Sequence, residues 1–282
     1  MNALVIAVSI LIVLASHPAG AVEIVCGNVD DGPAIQAALD AGGLVRLAGH
    51  CRLHQALQAR TLYTTLQGPA HLEVGDGYAD AWMLYLTTRE LTVQDLVWWH
   101  PTGGGIHVDT PANAPLSGAL RLISGKFNTY YPGVFAWKGT GLWVWGTHFN
   151  AMNGGTYAAM IFEWDTASFT DVLVEQHWAC IRLGSGTGGT TTVSFVGVRC
   201  DGLRSVGHLI EPWGTGHVAF VQDWNGWWAG GISPYLINAS HTTGFVRDIM
   251  IRNGMATNSQ MGEVWFYGSV ERTSVVTEIQ YR

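Results

Sequence analysis

The sequence predicts an all-β protein in which short strands wind into a stacked solenoid, closed at its N-terminal end by one short helix. Three observations lead there. The chain of 282 residues is 48% hydrophobic but only 12% charged, and it carries 36 Gly, a balance suited to sheet and tight turns rather than to surface helices. One strand-like motif recurs at intervals of about 24 residues. A single segment shows helical periodicity.

The elements follow in chain order. Residues 3–15 are apolar apart from Ser9, Ser16, His17 and Pro18 break the run, and Ala19-Gly20-Ala21 offers a small-residue cleavage site. This reads as a signal peptide over 1–21, although no Lys or Arg precedes the apolar stretch; an uncleaved anchor and a buried first strand are the alternatives. An N-terminal cap then spans 22–56. Within it Asp30, Asp31, Gly32 and Pro33 offer a helix start, Ile35, Ala38 and Leu39 share one face, and Gly42-Gly43 stops the helix, which is expected over 33–41. From 57 to 282 the chain is β-rich. Segments 91–98 (LTVQDLVW), 169–175 (FTDVLVE), 193–200 (VSFVGVRC) and 245–253 (FVRDIMIRN) share an apolar anchor, a spacer, a turn residue that is often Asp or Gly, and then alternation. Anchors at Val93, Leu122, Val144, Phe169, Val193, Val218, Val246 and Val264 set the repeat. One such unit cannot bury its own inward face, so stacking must supply the core. An antiparallel sandwich would explain the strands but not the recurring motif.

Segment 30–49 (DDGPAIQAALDAGGLVRLAG) resembles the opening of right-handed parallel β-helix proteins, the pectin-lyase-like superfamily that includes pectate-lyase and polygalacturonase enzymes and phage tailspike-type proteins. The resemblance implies a right-handed parallel β-helix whose first coil is capped by the helix. It implies no catalytic residues, because the Asn-Thr-Asp, Gly-His-Gly and Arg-x-Lys motifs of polygalacturonases are absent at coil-compatible positions.

Charge and cysteine content narrow the function. A formal net charge of −7 leaves no basic surplus for phosphates, which excludes a nucleic-acid-binding domain. No stretch reaches the roughly 18 apolar residues of a membrane span, so none is expected once the signal is removed. Four cysteines allow two disulfides in three connectivities, and sequence proximity favours Cys26–Cys51 and Cys180–Cys200 over four buried thiols. No metal-ligand spacing stands out and no cofactor is expected. The run Gly184 to Gly189 satisfies G-x-G-x-x-G but leads into a Thr-rich strand rather than a helix, so it does not read as a dinucleotide site.

Aligning the coils places a second strand before each anchor. Its outward column is expected to read Tyr85, His107, Ala136, Glu163, Arg182 and Glu211, with Thr87, Asp109, Lys138, Asp165 and Gly184 beside it and Trp213 nearby. Such a strip predicts a carbohydrate-processing groove. Glu163 and Asp165, about 6.7 Å apart along one strand, or Glu163 and Glu211, about 9.6 Å apart across two coils, would act as paired carboxylates for glycosidic-bond hydrolysis. Arg182 would hold one carboxylate ionised, and His107, Asp109 and Lys138 would contact substrate. A lyase would instead draw on Lys138, Arg182 or His107. Signs that alternate along the strip equally describe a neutralised ladder on a solvated face. The 13 Trp add candidate sugar platforms at Trp143, Trp145, Trp213 and Trp227, unless they pack under loops or between subunits. The expectation is thus an extracellular polysaccharide depolymerase. The alternative is a non-catalytic spike or surface protein that binds a cell-surface glycan, homotrimeric as tailspikes are.

Overall fold

The computed structural model describes residues 20–27, 29–87, 90–109, 118–152, 157–175, 179–185, 190–201, 210–214, 217–220, 227–229, 235–239, 241–242, 246–247, 250–257, 265–268 and 276–281. The expected signal peptide thus lies almost wholly outside the described residues. In the later coils several strands are described by backbone register alone, and Cys180, Cys200 and most of the predicted strip are among them.

The fold class is the expected one, an all-β right-handed parallel β-helix with one short helix. Strands β1 (Val22–Val25), β2 (Leu44–Leu53), β3 (Leu57–Ala59), β4 (Thr64–Val74), β5 (Trp82–Leu86), β6 (Glu90–His100), β7 (Gly104–Asp109), β8 (Gly118–Ile123), β9 (Lys126–Thr129), β10 (Val134–Trp145), β11 (His148–Ala151), β12 (Tyr157–Thr170), β13 (Leu173–Glu175), β14 (Ala179–Ser185), β15 (Thr190–Val196), β16 (Arg199–Asp201) and β17 (Ile210–Gly214) lead on to a last strand at Val276–Tyr281. Among the described residues the strands pair in parallel, joining one coil to the next, which builds three flat faces around a common interior.

Side-chain alternation decides what enters that interior. On the first face Leu57, Leu84, Ile106, Val134, Ala159 and Ile181 are successive register partners and all are buried. The second face contributes Val93, Leu122, Val144 and Phe169, with Phe195 next in register. The third contributes Cys51, Leu72, Trp98, Phe127, Phe149 and Val174. Trp98 stacks on Phe127 at 5.7 Å and Phe127 on Phe149 at 5.2 Å, so three rings form a pile inside the coil. Gly105 and Gly133 make room for it, since a Cβ at either position would collide with Phe127 or Phe149.

The corner between the second and third faces is built the same way in successive coils. Asp95, Ser124, Gly146, Asp171 and Gly197 all adopt left-handed backbone, with φ between 52° and 64°. Asp and Gly tolerate that region best, which explains the turn residue of the sequence motif. Bonds from Ser124 N to Trp145 O, Gly146 N to Thr170 O and Asp171 N to Val196 O stitch the corners together. Each corner lies two residues after its inward anchor. By that rule the fifth anchor is Phe195, and the register agrees: Val193 sits opposite Ala167, two residues from its expected place.

Helix α1 (Gly32–Ala41) begins one residue earlier than expected, with Pro33 in its first turn. It turns Ile35, Ala38 and Leu39 onto the open end of the core, where all three are buried. Gln36 reaches across to β3: its Nε2 donates to Gln58 O at 2.9 Å, and Gln58 N donates to its Oε1 at 2.7 Å. The helix thereby satisfies the free edge of that strand. The acids before it divide the work. Asp30 accepts from Gly32 N at 2.9 Å, whereas Asp31 is buried and accepts from Arg52 N at 3.1 Å and Gly27 N at 3.3 Å. The expected Cys26–Cys51 disulfide is present and fastens the segment after β1 to the same coil.

Candidate functional site

On the first face, alternation sends Leu84, Leu86, Ile106 and Val108 inward and turns Tyr85 and His107 outward. The register then runs from Tyr85 through His107, Phe135, Met160 and Arg182 to Glu211. Its first half is aromatic. The His107 ring lies nearly parallel to Trp82 at 5.2 Å, meets Tyr85 edge-on at 5.5 Å and touches Phe135 at 4.9 Å. Trp82 in turn neighbours Phe135 and Tyr131. Tyr131 is 42% exposed and the other four rings are partly exposed, so the cluster presents a ring surface to solvent. Burial, followed by the nearby Asp80 carboxylate, raises the Tyr85 phenol above its ordinary value and keeps it a neutral hydrogen-bonding group.

The predicted strip is only partly assembled by the register. Arg182 is level with Glu211, as expected. Ala136 and Glu163 stand elsewhere. Ala136 is level with Val108 and fully buried, and its outward place belongs to Phe135. Met160 takes the position opposite Arg182, so Glu163 lies three residues further along β12. There it falls level with Lys138, between the pairs Trp137–Phe162 and Gly139–Trp164. Asp165 remains two residues beyond Glu163 on the same strand. Asp109 is level with Trp137, and that row continues through Phe162 and Gly184 to Trp213.

The tryptophans divide by face. Trp143 and Trp145, flanking buried Val144, project from the second face and are 42% and 58% exposed. The Arg121 guanidinium lies 4.7 Å from the Trp143 ring centre and 3.2 Å from Glu90, so a cation held by a carboxylate packs on an indole that stays partly exposed. Trp227 is level with Arg199 and Met255 on the third face, described there by register only.

Sequence reasoning missed a polar cluster at the N-terminal end of the third face. His50 is level with His71, and Arg52 is level with Glu73, which is level with Trp99. The two imidazoles stack at 4.6 Å, and Trp99 meets His71 edge-on. Glu73 takes Arg52 Nε at 3.2 Å and Nη2 at 3.1 Å on one oxygen, and His50 Nε2 at 3.0 Å on the other. A pocket of about 260 Å³ opens beside them, lined by Arg52, Glu73, Asp76, Trp99 and Pro101 among others. Burial, then His50, lowers the His71 pKa against the opposing pull of Glu73. A signal for this cluster exists in the chain: Gly49 to Leu53 and Ala70 to Val74 repeat His-x-Arg and His-x-Glu at one coil's spacing.

Further along the same face, His148 Nε2 bonds Glu175 at 2.7 Å, and burial outweighs that carboxylate and lowers the imidazole's pKa. The pair is therefore a neutral imidazole donating to a carboxylate at neutral pH. Among the described residues no group of three or more His, Cys, Asp or Glu is placed to hold a metal ion. Nor is any helix among them long and apolar enough to cross a membrane. Comparison of the chain with protein-family models, with curated proteins and with solved structures finds no match in any of the three.

Proposed function

We propose that this chain is an exported β-helix protein that binds a polysaccharide or cell-surface glycan along its flat faces. The observation that carries the reading is the ring surface of Trp82, Tyr85, His107, Tyr131 and Phe135 on the first face. Coils about 4.8 Å apart set these rings at a spacing comparable to the length of a sugar ring. Flat aromatic plates suit the C–H faces of pyranosides, and the exposed indoles of Trp143 and Trp145 extend the same chemistry to the second face. A disulfide favours an oxidising compartment, and the apolar stretch at 3–15 fits an export signal. The net charge of −7 favours a neutral glycan over a polyanion.

Hydrolysis is the second reading, favoured by Arg182 level with Glu211 and by Glu163 and Asp165 sharing β12. Glu163 and Asp165, about 6.7 Å apart along that strand, stand at a separation suited to inverting cleavage, with one as acid and the other as base. The register, by contrast, moves Glu163 off the row of Glu211. One experiment separates the two. Wild type, the Tyr131→Ala/Trp143→Ala double variant, Glu163→Gln and Glu211→Gln are applied to a glycan array and to a polysaccharide panel assayed for new reducing ends. Binding without cleavage, lost in the aromatic double variant, is the expected outcome. Reducing ends that vanish in Glu163→Gln or Glu211→Gln establish the hydrolase. Binding that survives loss of both rings removes the platform reading.

A further inference from the structure

The pocket at the N-terminal end of the third face is a second site, separate from the ring surface of the first. We infer that it takes a single neutral pyranoside ring, such as a chain-terminal sugar. Arg52, Glu73 and Trp99 occupy one register position on three successive coils, so a guanidinium, a carboxylate and an indole stand in line over about 10 Å. The Asp76 and Pro101 turns close the sides into a concavity of about 260 Å³.

The chemistry of the walls selects the ligand. Trp99 is 36% exposed and offers a flat apolar face at one end. Glu73 accepts two bonds from Arg52 through one oxygen and one bond from His50 through the other, while a carboxylate has about four acceptor sites. Arg52 spends Nε and Nη2 on Glu73, and a guanidinium carries five N–H donors, so the wall that Arg52 contributes keeps donor capacity. Donors and acceptors side by side match hydroxyl groups, which both give and accept hydrogen bonds. Charge argues in the same direction. Two carboxylates, Glu73 and Asp76, stand against the single guanidinium of Arg52, and that guanidinium is already paired, so an anion meets net repulsion. A bare ammonium ion meets Arg52 itself. A polyhydroxylated neutral ring with one C–H face satisfies guanidinium, carboxylate and indole together.

Saturation-transfer NMR on the full chain tests this with methyl glucoside, methyl galactoside, methyl mannoside, glucuronate and glucosamine as probes. At least one neutral methyl glycoside is expected to receive saturation on its ring C–H protons. Its affinity should fall about tenfold or more in Trp99→Ala and in Glu73→Gln, and stay unchanged in Tyr131→Ala. Glu73→Gln keeps the shape of the side chain and carries the same expectation should Trp99→Ala fail to fold. No transfer to any neutral glycoside, binding of glucuronate or glucosamine alone, or an affinity that Glu73→Gln leaves intact overturns the inference. No residue of the ring surface is involved, so failure here and failure of the platform reading are distinguishable.

Discussion

Three imidazoles lead us to expect that the stability of the stack declines in mild acid. Burial is the first cause that lowers His71, His100 and His148 below the ordinary value of 6.5, against an opposing Glu73, Asp80 carbonyl and Glu175 respectively. His100 is the clearest case, being buried with Nε2 3.2 Å from Asp80 O. A depressed histidine binds its proton more readily in the unfolded chain. Its stabilising contribution is therefore complete above the unfolded value and is lost as pH falls through about 6.5 toward the folded value. Urea midpoints should decline between pH 7.5 and pH 5, and the decline should be shallower in His100→Gln. An identical slope in that variant would show that other groups govern the acid limb. Legibility at this scale was uneven. Alternation marked Trp143 and Trp145 as outward because Val144 between them had to be inward. It could not choose between Phe135 and Ala136, since both are apolar and a one-residue slip exchanges the faces.

The cap shows what an element owes to a few polar contacts. Helix α1 supplies the apolar lid of Ile35, Ala38 and Leu39, but Gln36 is what joins it to the edge of β3. Gln36→Ala leaves the lid intact and orphans the Gln58 N–H and C=O, so it should cost about 2 kcal/mol in chemical denaturation. A cost near zero would mean that solvent replaces both bonds. The cap was readable because helix, stop signal and first strand follow one another within residues 30–49. The strands were readable as a repeat but not in full register. Val193 and Phe195 have the same parity and similar character, and only the left-handed corner at Gly197, two residues past Phe195, discriminates between them. On the first face the slip was larger. Strand β12 runs unbroken across two faces from Tyr157 to Thr170, so the pattern of its sequence gives no mark of where the first face ends. That is why Glu163 was expected opposite Arg182, where Met160 stands.

At the scale of the molecule, one continuous core is built coil by coil, each coil packing on its neighbours. Stability in such a stack is close to a sum of coil terms and nearest-neighbour interfaces, so damage should stay local. The Cys26–Cys51 bridge closes a segment with a sequence separation of 25 in the first coil. Its removal in Cys26→Ser/Cys51→Ser is expected to cost about 3 kcal/mol. Hydrogen exchange should then show lost protection in β1, β2 and α1, with β10 and β12 unchanged. Uniform loss along the chain would instead identify the coil as one cooperative unit. The third-face pocket escaped notice for a related reason. Its members come from three coils, and only the paired spacing of His50 with His71 and Arg52 with Glu73 hints that they meet. The capped end also gives the stack a direction in time. With α1 packed against β2 and β3, growth from the capped coil would proceed away from the helix, and a chain leaving the ribosome makes its coils in that same order. Assembly that starts at the capped coil would then run in the direction of synthesis, each finished coil serving as the template on which the next one is laid down.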